Sequence, residues 1–162
     1  MTIIGLILVA LIFCFGFVLL FGAPYLPTLT KQMQVALDLV DLQPGERLVE
    51  LGCGDGKVLV AAARRGWLVD GYELNPLLVL VCVWRTRHFR KQVRVHWRNF
   101  WTAQLPPTEG IFVFVLQRQM AKLDNKIVQE VSKPVKLVSF AFTIPGRKPV
   151  RSKEGVYLYE YR

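Results

Sequence analysis

The residues best equipped for chemistry in this 162-residue chain sit together in Glu50-Leu51-Gly52-Cys53-Gly54-Asp55-Gly56. Glycines at alternate positions let the backbone approach a ligand that a Cβ would hold off. The spacing is not the G-x-G-x-x-G of a dinucleotide site, because counting from Gly52 the last glycine would fall on Lys57. It is E-x-G-x-G-x-G, which sets Glu50 to meet the amino end of a ligand whose body rests on the turn, with no need of a phosphate cradle. A second acid lies downstream, Glu73 in Tyr72-Glu73-Leu74-Asn75-Pro76. An acid at about this interval, ending the next strand, can accept hydrogen bonds from both hydroxyls of a ribose. Glu73 also suits a helix N-terminus, where the dipole stabilises a carboxylate, but the glycines ahead of it favour the ribose.

Both acids need a strand to carry them and a helix to follow. Arg47 to Leu51 reads as a strand running into the glycines, and Ala61 to Arg65 belongs to a helix closed by Gly66. Trp67 to Glu73 is a second strand, after which Asn75 as N-cap and Pro76 in the first helical position open the next helix. Val93 to Trp97, Ile111 to Leu116 and Val135 to Phe142 are further strands, with an amphipathic helix marked by Met120, Leu123, Ile127 and Val131. Lys148–Arg151 and Gly155–Tyr161 read as a closing hairpin. Upstream, Leu29, Met33, Ala36, Leu37 and Val40 predict a helix over 29–40, ended by the turn Gln43-Pro44-Gly45. The alternation predicts an α/β fold, a doubly wound, mostly parallel seven-stranded sheet ending in an antiparallel hairpin and trimmed between strands three and four.

The N-terminus stands apart. Ile3 to Ala23 is a run of 21 residues without a charge, enough for a helix to span the hydrocarbon of a bilayer, which takes about 20. No Lys or Arg precedes it, it is longer than a signal-peptide core, and Pro24 follows Ala23 where cleavage would fall, so a retained anchor is the better reading. The expected organisation is a transmembrane anchor over 1–23, a connector over 24–28 and one domain over 29–162. Residues 24–82 carry a net charge of −2 and residues 83–162 one of +11, and all 21 Lys and Arg follow the anchor. That bias puts the domain on the cytoplasmic side of a bacterial inner membrane or a mitochondrial equivalent. Cys14, Cys53 and Cys82 are odd in number and form no C-x-x-C, which fits a reducing compartment and points to neither a disulfide framework nor a metal site.

The glycine turn VELGCGDG and the acid in GYELNP resemble, in order and spacing, the first two motifs of class I S-adenosylmethionine-dependent methyltransferases. APYLPT, LVELGCGDGKVLVAAARRG, GYELNP, RNFW and IFVF carry a closer likeness over about residues 23–162. It is to the small membrane-anchored protein-lysine methyltransferases related to the mitochondrial enzymes for the ATP synthase c subunit and the adenine nucleotide translocase. The resemblance implies a compact Rossmann-like fold and S-adenosyl-L-methionine as cofactor. Glu50, Gly52, Gly54 and Gly56, with Cys53 and Asp55 in the same turn, would then line its methionine part. Glu73, with Leu74 beside it, would hold the ribose. Where the superfamily usually offers the adenine an acid, this chain has Asn99, whose carbonyl can accept the same hydrogen bond, although an Asn after a strand also forms turns. Phe100 or Trp101 is placed to stack on adenine or simply to pack into the core. Tyr25-Leu26-Pro27-Thr28 matches a segment that in the family folds over the cofactor, so Tyr25 and Thr28 are candidates for the substrate channel; otherwise the prolines make a stiff linker.

Leu116-Gln117-Arg118-Gln119 stands where superfamily members that methylate planar amides carry an Asn/Asp-Pro-Pro-aromatic segment, which argues against amino-methylation of DNA. His88 and His96 are isolated, and no nucleophile triad is present. Methyl transfer from a sulfonium needs alignment more than acid–base help, and an amine buried beside that cation loses its proton more readily, so no general base is nominated. The basic stretch Arg85–Arg98 has three readings: a solvated helix end, a contact with anionic lipid, or an RNA surface using Trp84 and Trp97. The expected function is N-methylation of lysine in a membrane-associated protein, with no metal and no nucleic-acid partner. The rivals are methylation of a lipid-soluble small molecule, such as a quinone or lipid headgroup, and cofactor binding without turnover.

Overall fold

Apolar β-branched runs bounded by glycine turns give this chain its strands, and amphipathic segments between them give its helices. The computed structural model describes residues 30–131 and 133–162, together with Gly5. Gly5 apart, the anchor over 1–23 lies outside the described residues, as do the connector over 24–28 and with it Tyr25 and Thr28. Among those described, no helix is long and apolar enough to cross a membrane.

The elements run α1 (Thr30–Val40), β1 (Arg47–Leu51), α2 (Lys57–Arg64), β2 (Leu68–Glu73), α3 (Pro76–Thr86), β3 (Val93–Trp97), β4 (Gly110–Val113), α4 (Met120–Glu130), β5 (Val135–Phe140), β6 (Arg151–Lys153) and β7 (Val156–Tyr161). The strands form one sheet in the order β3-β2-β1-β4-β5-β7-β6. The first five pair in parallel, and β7 runs antiparallel to both β5 and β6. This is the doubly wound, Rossmann-like sheet with a closing hairpin that the sequence predicts. The link from β3 to β4 contains no helix, which is the expected trimming.

Side-chain alternation along the strands sorts the core into two layers. On one face Leu48, Val69, Phe112 and Val138 meet Met33, Leu37, Leu59, Ala62 and Cys82 from α1, α2 and α3. On the other, Val49, Leu51, Ile111, Val113 and Leu137 meet Met120, Leu123 and Ile127 of α4. Because β2 and β4 flank β1 and their connections leave in opposite directions along the sheet, a crevice opens beyond the C-terminal end of β1, the usual ligand position in such sheets.

Three strands depart from the sequence reading by two residues or more at an end. The hairpin strand is Arg151–Lys153 rather than 148–151, because Glu154 and Gly155 (φ 51° and 76°) form a two-residue turn that pairs Lys153 with Val156. Two consecutive positive φ angles match the right-handed twist of a hairpin. β5 stops at Phe140 rather than 142 because Ala141 takes φ 67° and leaves the ladder. β4 runs Gly110–Val113 rather than 111–116. It starts at a glycine whose Cβ would lie 2.9 Å from Leu42 and 3.0 Å from Val40, so close packing admits no side chain there.

Candidate active site

β1 delivers Glu50 and β2 delivers Glu73 to the same edge of the sheet. Glu50 lies between its register partners Gly71 on β2 and Phe112 on β4. It is buried, and its Oε2 has no hydrogen-bond partner. Burial pushes its carboxyl well above the usual carboxylate range, and the nearby charges of Cys82, Asp55 and Glu73 add to the rise. A buried carboxyl left in this state is costly unless a cation or donor joins it.

The turn after β1 is built from left-handed glycines. Gly52, Gly54 and Gly56 have φ of 85°, 53° and 78°, a region side chains rarely occupy. Their roles separate. A Cβ on Gly52 would meet nothing within 4 Å, so this glycine opens onto the crevice, whereas one on Gly56 would lie 2.5 Å from Cys82 Sγ. Gly56 is therefore required for α3 to pack against the turn. Cys53 and Cys82 are buried free thiols with sulfurs 3.8 Å apart. The hydrogen bond between them and burial raise the Cys53 thiol well above its ordinary value, and its sulfur packs the turn against α3.

Glu73 is tied into the turn itself. Its Oε2 accepts from Gly54 N at 2.9 Å, and its Oε1 accepts from Leu74 N and Asn75 N at 2.8 and 2.7 Å. One carboxylate thus fixes both the glycine turn and the start of α3, while Oε2, with a single donor, retains capacity for another. Asn75 caps α3 by accepting from Leu77 N at 2.9 Å. Asp55 accepts from Lys57 N at 3.2 Å and is ion-paired with Arg85, so it stabilises the loop. Leu74 is half-buried, and its carbonyl accepts from Trp97 Nε1 at 3.0 Å.

Asn99 stands beyond β3, and its Oδ1 accepts from Trp101 N at 3.0 Å, the turn-forming bond. Phe100 and Trp101 lie ring to ring at 4.6 Å and pack on the α4 layer of the core. Of the histidines, His88 is exposed, and His96 is satisfied by Asp70 at 2.6 Å and stacks on Tyr72. No group of metal ligands occurs among the described residues.

The structure adds a cluster that motif reading missed. Phe114, two residues beyond the register partner of Glu50, lies 4.7 Å from the ring of Phe140 and 6.2 Å from that of Phe142. Left-handed Ala141 sends Phe140 toward one core layer and Phe142 toward the other, so the rings gather where β4 and β5 end. The aromatic residues were visible in sequence, but the turn that unites them was not.

Residues 50–151 match the family described as the ANTKMT methyltransferase domain. The chain belongs to this family. Among its relatives is the human lysine N-methyltransferase of the ATP synthase c subunit, 28% identical over 78% of this chain and 54% of that protein. The adenine nucleotide translocase lysine N-methyltransferase of Mus musculus is 31% identical over 78% of this chain and 56% of its own length. The chain thus spans about half the length of these two relatives. In fold it is similar to a Salinibacter ruber RNA methyltransferase solved in complex with S-adenosyl-L-homocysteine, with a TM-score of 0.77 at 24% identity, covering 84% of this chain and 92% of that one.

Proposed function

We propose that this protein is an S-adenosylmethionine-dependent N-methyltransferase that acts on lysine in a membrane-associated protein. The observation that carries the reading is the unpartnered Glu50 oxygen, buried beneath an open glycine turn and beside Glu73. Such an acidic floor suits a ligand with an ammonium and a sulfonium and is hostile to phosphate. Glu50 would take the ammonium, Gly52 and Gly54 would pass the body of the cofactor at backbone distance, and the free lone pair of Glu73 would receive the ribose. Asn99 retains its amide NH2 for the adenine, and Phe100 supplies an apolar wall. When bound, the cofactor supplies a methyl group already activated by positive sulfur.

What remains for the chain is to align an amine and exclude water. The Phe114–Phe140–Phe142 cluster offers an apolar wall for the methylene stem of a lysine, and desolvation there favours the neutral amine. Membership of a family whose relatives are named for lysine methylation supports lysine as the acceptor. The uncharged run Ile3–Ala23 supports a single-pass anchor, with the domain on the cytoplasmic side. Thr30 accepts from Lys57 Nζ at 2.8 Å, so α1 begins one residue's reach from the glycine turn. Tyr25 and Thr28, just upstream, are thus candidates for the channel.

The test is transfer of labelled methyl from S-adenosylmethionine in membrane extracts, with S-adenosylhomocysteine binding followed by calorimetry. Label should enter protein at lysine, and Gly54→Val and Glu73→Ala should each weaken binding at least about tenfold. Label appearing in the lipid phase would favour a small-molecule acceptor. Absence of binding by the folded wild type would end the methyltransferase reading.

A further inference from the structure

α3 is apolar on both sides. Cys82 and Thr86 face the core, while Leu77, Leu80, Val81 and Trp84, at helical spacing i, i+3, i+4 and i+7, form an outward stripe. Leu80 is 66% exposed, Trp84 65%, and Trp97 on the edge strand β3 64%. Trp97 is held against the start of α3 through its bond to the Leu74 carbonyl, so the two tryptophans lie toward opposite ends of the stripe. Val83, half exposed, widens it. A helix apolar all round belongs in an apolar surrounding, and a contiguous apolar patch on a folded surface marks a contact.

The rim states which contact. From 74 to 108 the sequence holds no Asp or Glu but six Arg and Lys. Arg85 is paired with Asp55, whereas Arg87, Arg90, Lys91, Arg94 and Arg98 are exposed and, among the described residues, make no salt bridge. Arg87 also lies over the Trp84 ring at 4.4 Å. We propose that this face of α3 and β3 lies on the surface of an anionic bilayer, with the Leu–Val–Trp stripe at the acyl boundary and the five cations on lipid phosphates. Interfacial helices have this division, and tryptophan favours that depth. A second copy of the chain would set these cations against their own kind across a two-fold axis. RNA would use the tryptophans and arginines but gain nothing from four exposed aliphatic side chains.

The placement has a consequence for the site. Leu77 and Trp97 lie at the sheet edge where Glu73 and the glycine turn open, so the bilayer would limit acceptors to groups at the membrane surface. That consequence rests on the methyl-transfer reading; the lipid contact does not.

The full chain, reconstituted in vesicles with roughly a third phosphatidylglycerol, tests the contact through quenching of tryptophan by brominated acyl chains. Quenching is expected, and Trp84→Phe and Trp97→Phe should each remove roughly half of it, because Trp67 is buried and Trp101 packs on the α4 layer, across the sheet from α3. Leu80→Glu, at an exposed position, should reduce quenching while leaving circular dichroism and S-adenosylhomocysteine affinity unchanged. Flotation at high salt reads the N-terminal anchor separately, so a failed anchor and a failed α3 contact give different results. Anchored chain whose quenching is absent, or is indifferent to both Trp substitutions, overturns the proposal. So does self-association in detergent that Leu80→Glu abolishes, or protection of Trp84 by RNA but not by vesicles.

Discussion

Glu50 and Glu73 are both carboxylates at the mouth of one turn, yet their surroundings give them different work. Glu73 has three backbone donors, whereas Glu50 has an oxygen with none. A carboxyl whose folded pKa is raised binds more protons in the folded than in the unfolded state, so its contribution to stability is complete at acid pH and is lost as pH rises through the folded value. Glu50→Gln should therefore leave the ligand-free protein little changed near pH 4 and stabilise it by about 1–3 kcal/mol once the wild-type carboxyl would ionise. Thermal melts across the pH range check this, and a gap that narrows with rising pH would contradict it. If Glu50 pairs with the cofactor's ammonium, S-adenosylhomocysteine affinity should rise with pH in the wild type and lose that slope in Glu50→Gln, as titration calorimetry would show.

At the scale of elements, the turn and α3 are one packing unit. Gly56 has no room for a methyl group because Cys82 of α3 occupies the space, and its φ of 78° adds strain to any replacement. Gly56→Ala should cost about 1–3 kcal/mol by overpacking. Cys82→Ala in the same chain should recover part of that loss, since the sulfur is the closest atom. Denaturant unfolding of the two single variants and the double variant reads this coupling. Strict additivity would mean that strain at Gly56, rather than contact with α3, sets the cost.

At the scale of the molecule, attachment and binding should separate. Deleting residues 1–23 should release the protein from membranes washed in high salt and leave S-adenosylhomocysteine affinity within about twofold, because the described fold contains both site carboxylates and all three turn glycines. At low salt a residual attachment should persist through the exposed cations near α3, weakening steeply with ionic strength. Fractionation at two salt concentrations distinguishes these. Truncated protein fully retained at high salt would leave the apolar N-terminal run without its assigned role.

Much of this was legible in sequence because it is local. Glycine spacing, the caps at Asn75 and Gly66, and alternating apolar runs fixed the strand–turn–helix units, the order of the acids and the family likeness. The acid-free basic stretch and the uncharged N-terminal run were equally plain. Tertiary structure decided what depends on contacts distant along the chain. It tied Glu73 to Gly54, set Gly56 against Cys82 and left an oxygen of Glu50 without a partner. It gathered Phe114, Phe140 and Phe142 through a left-handed alanine that no residue pattern announces. It also decided which face of α3 is buried: the sequence shows a helix apolar all round, and only packing against the sheet reveals which apolar face is left for something else to cover.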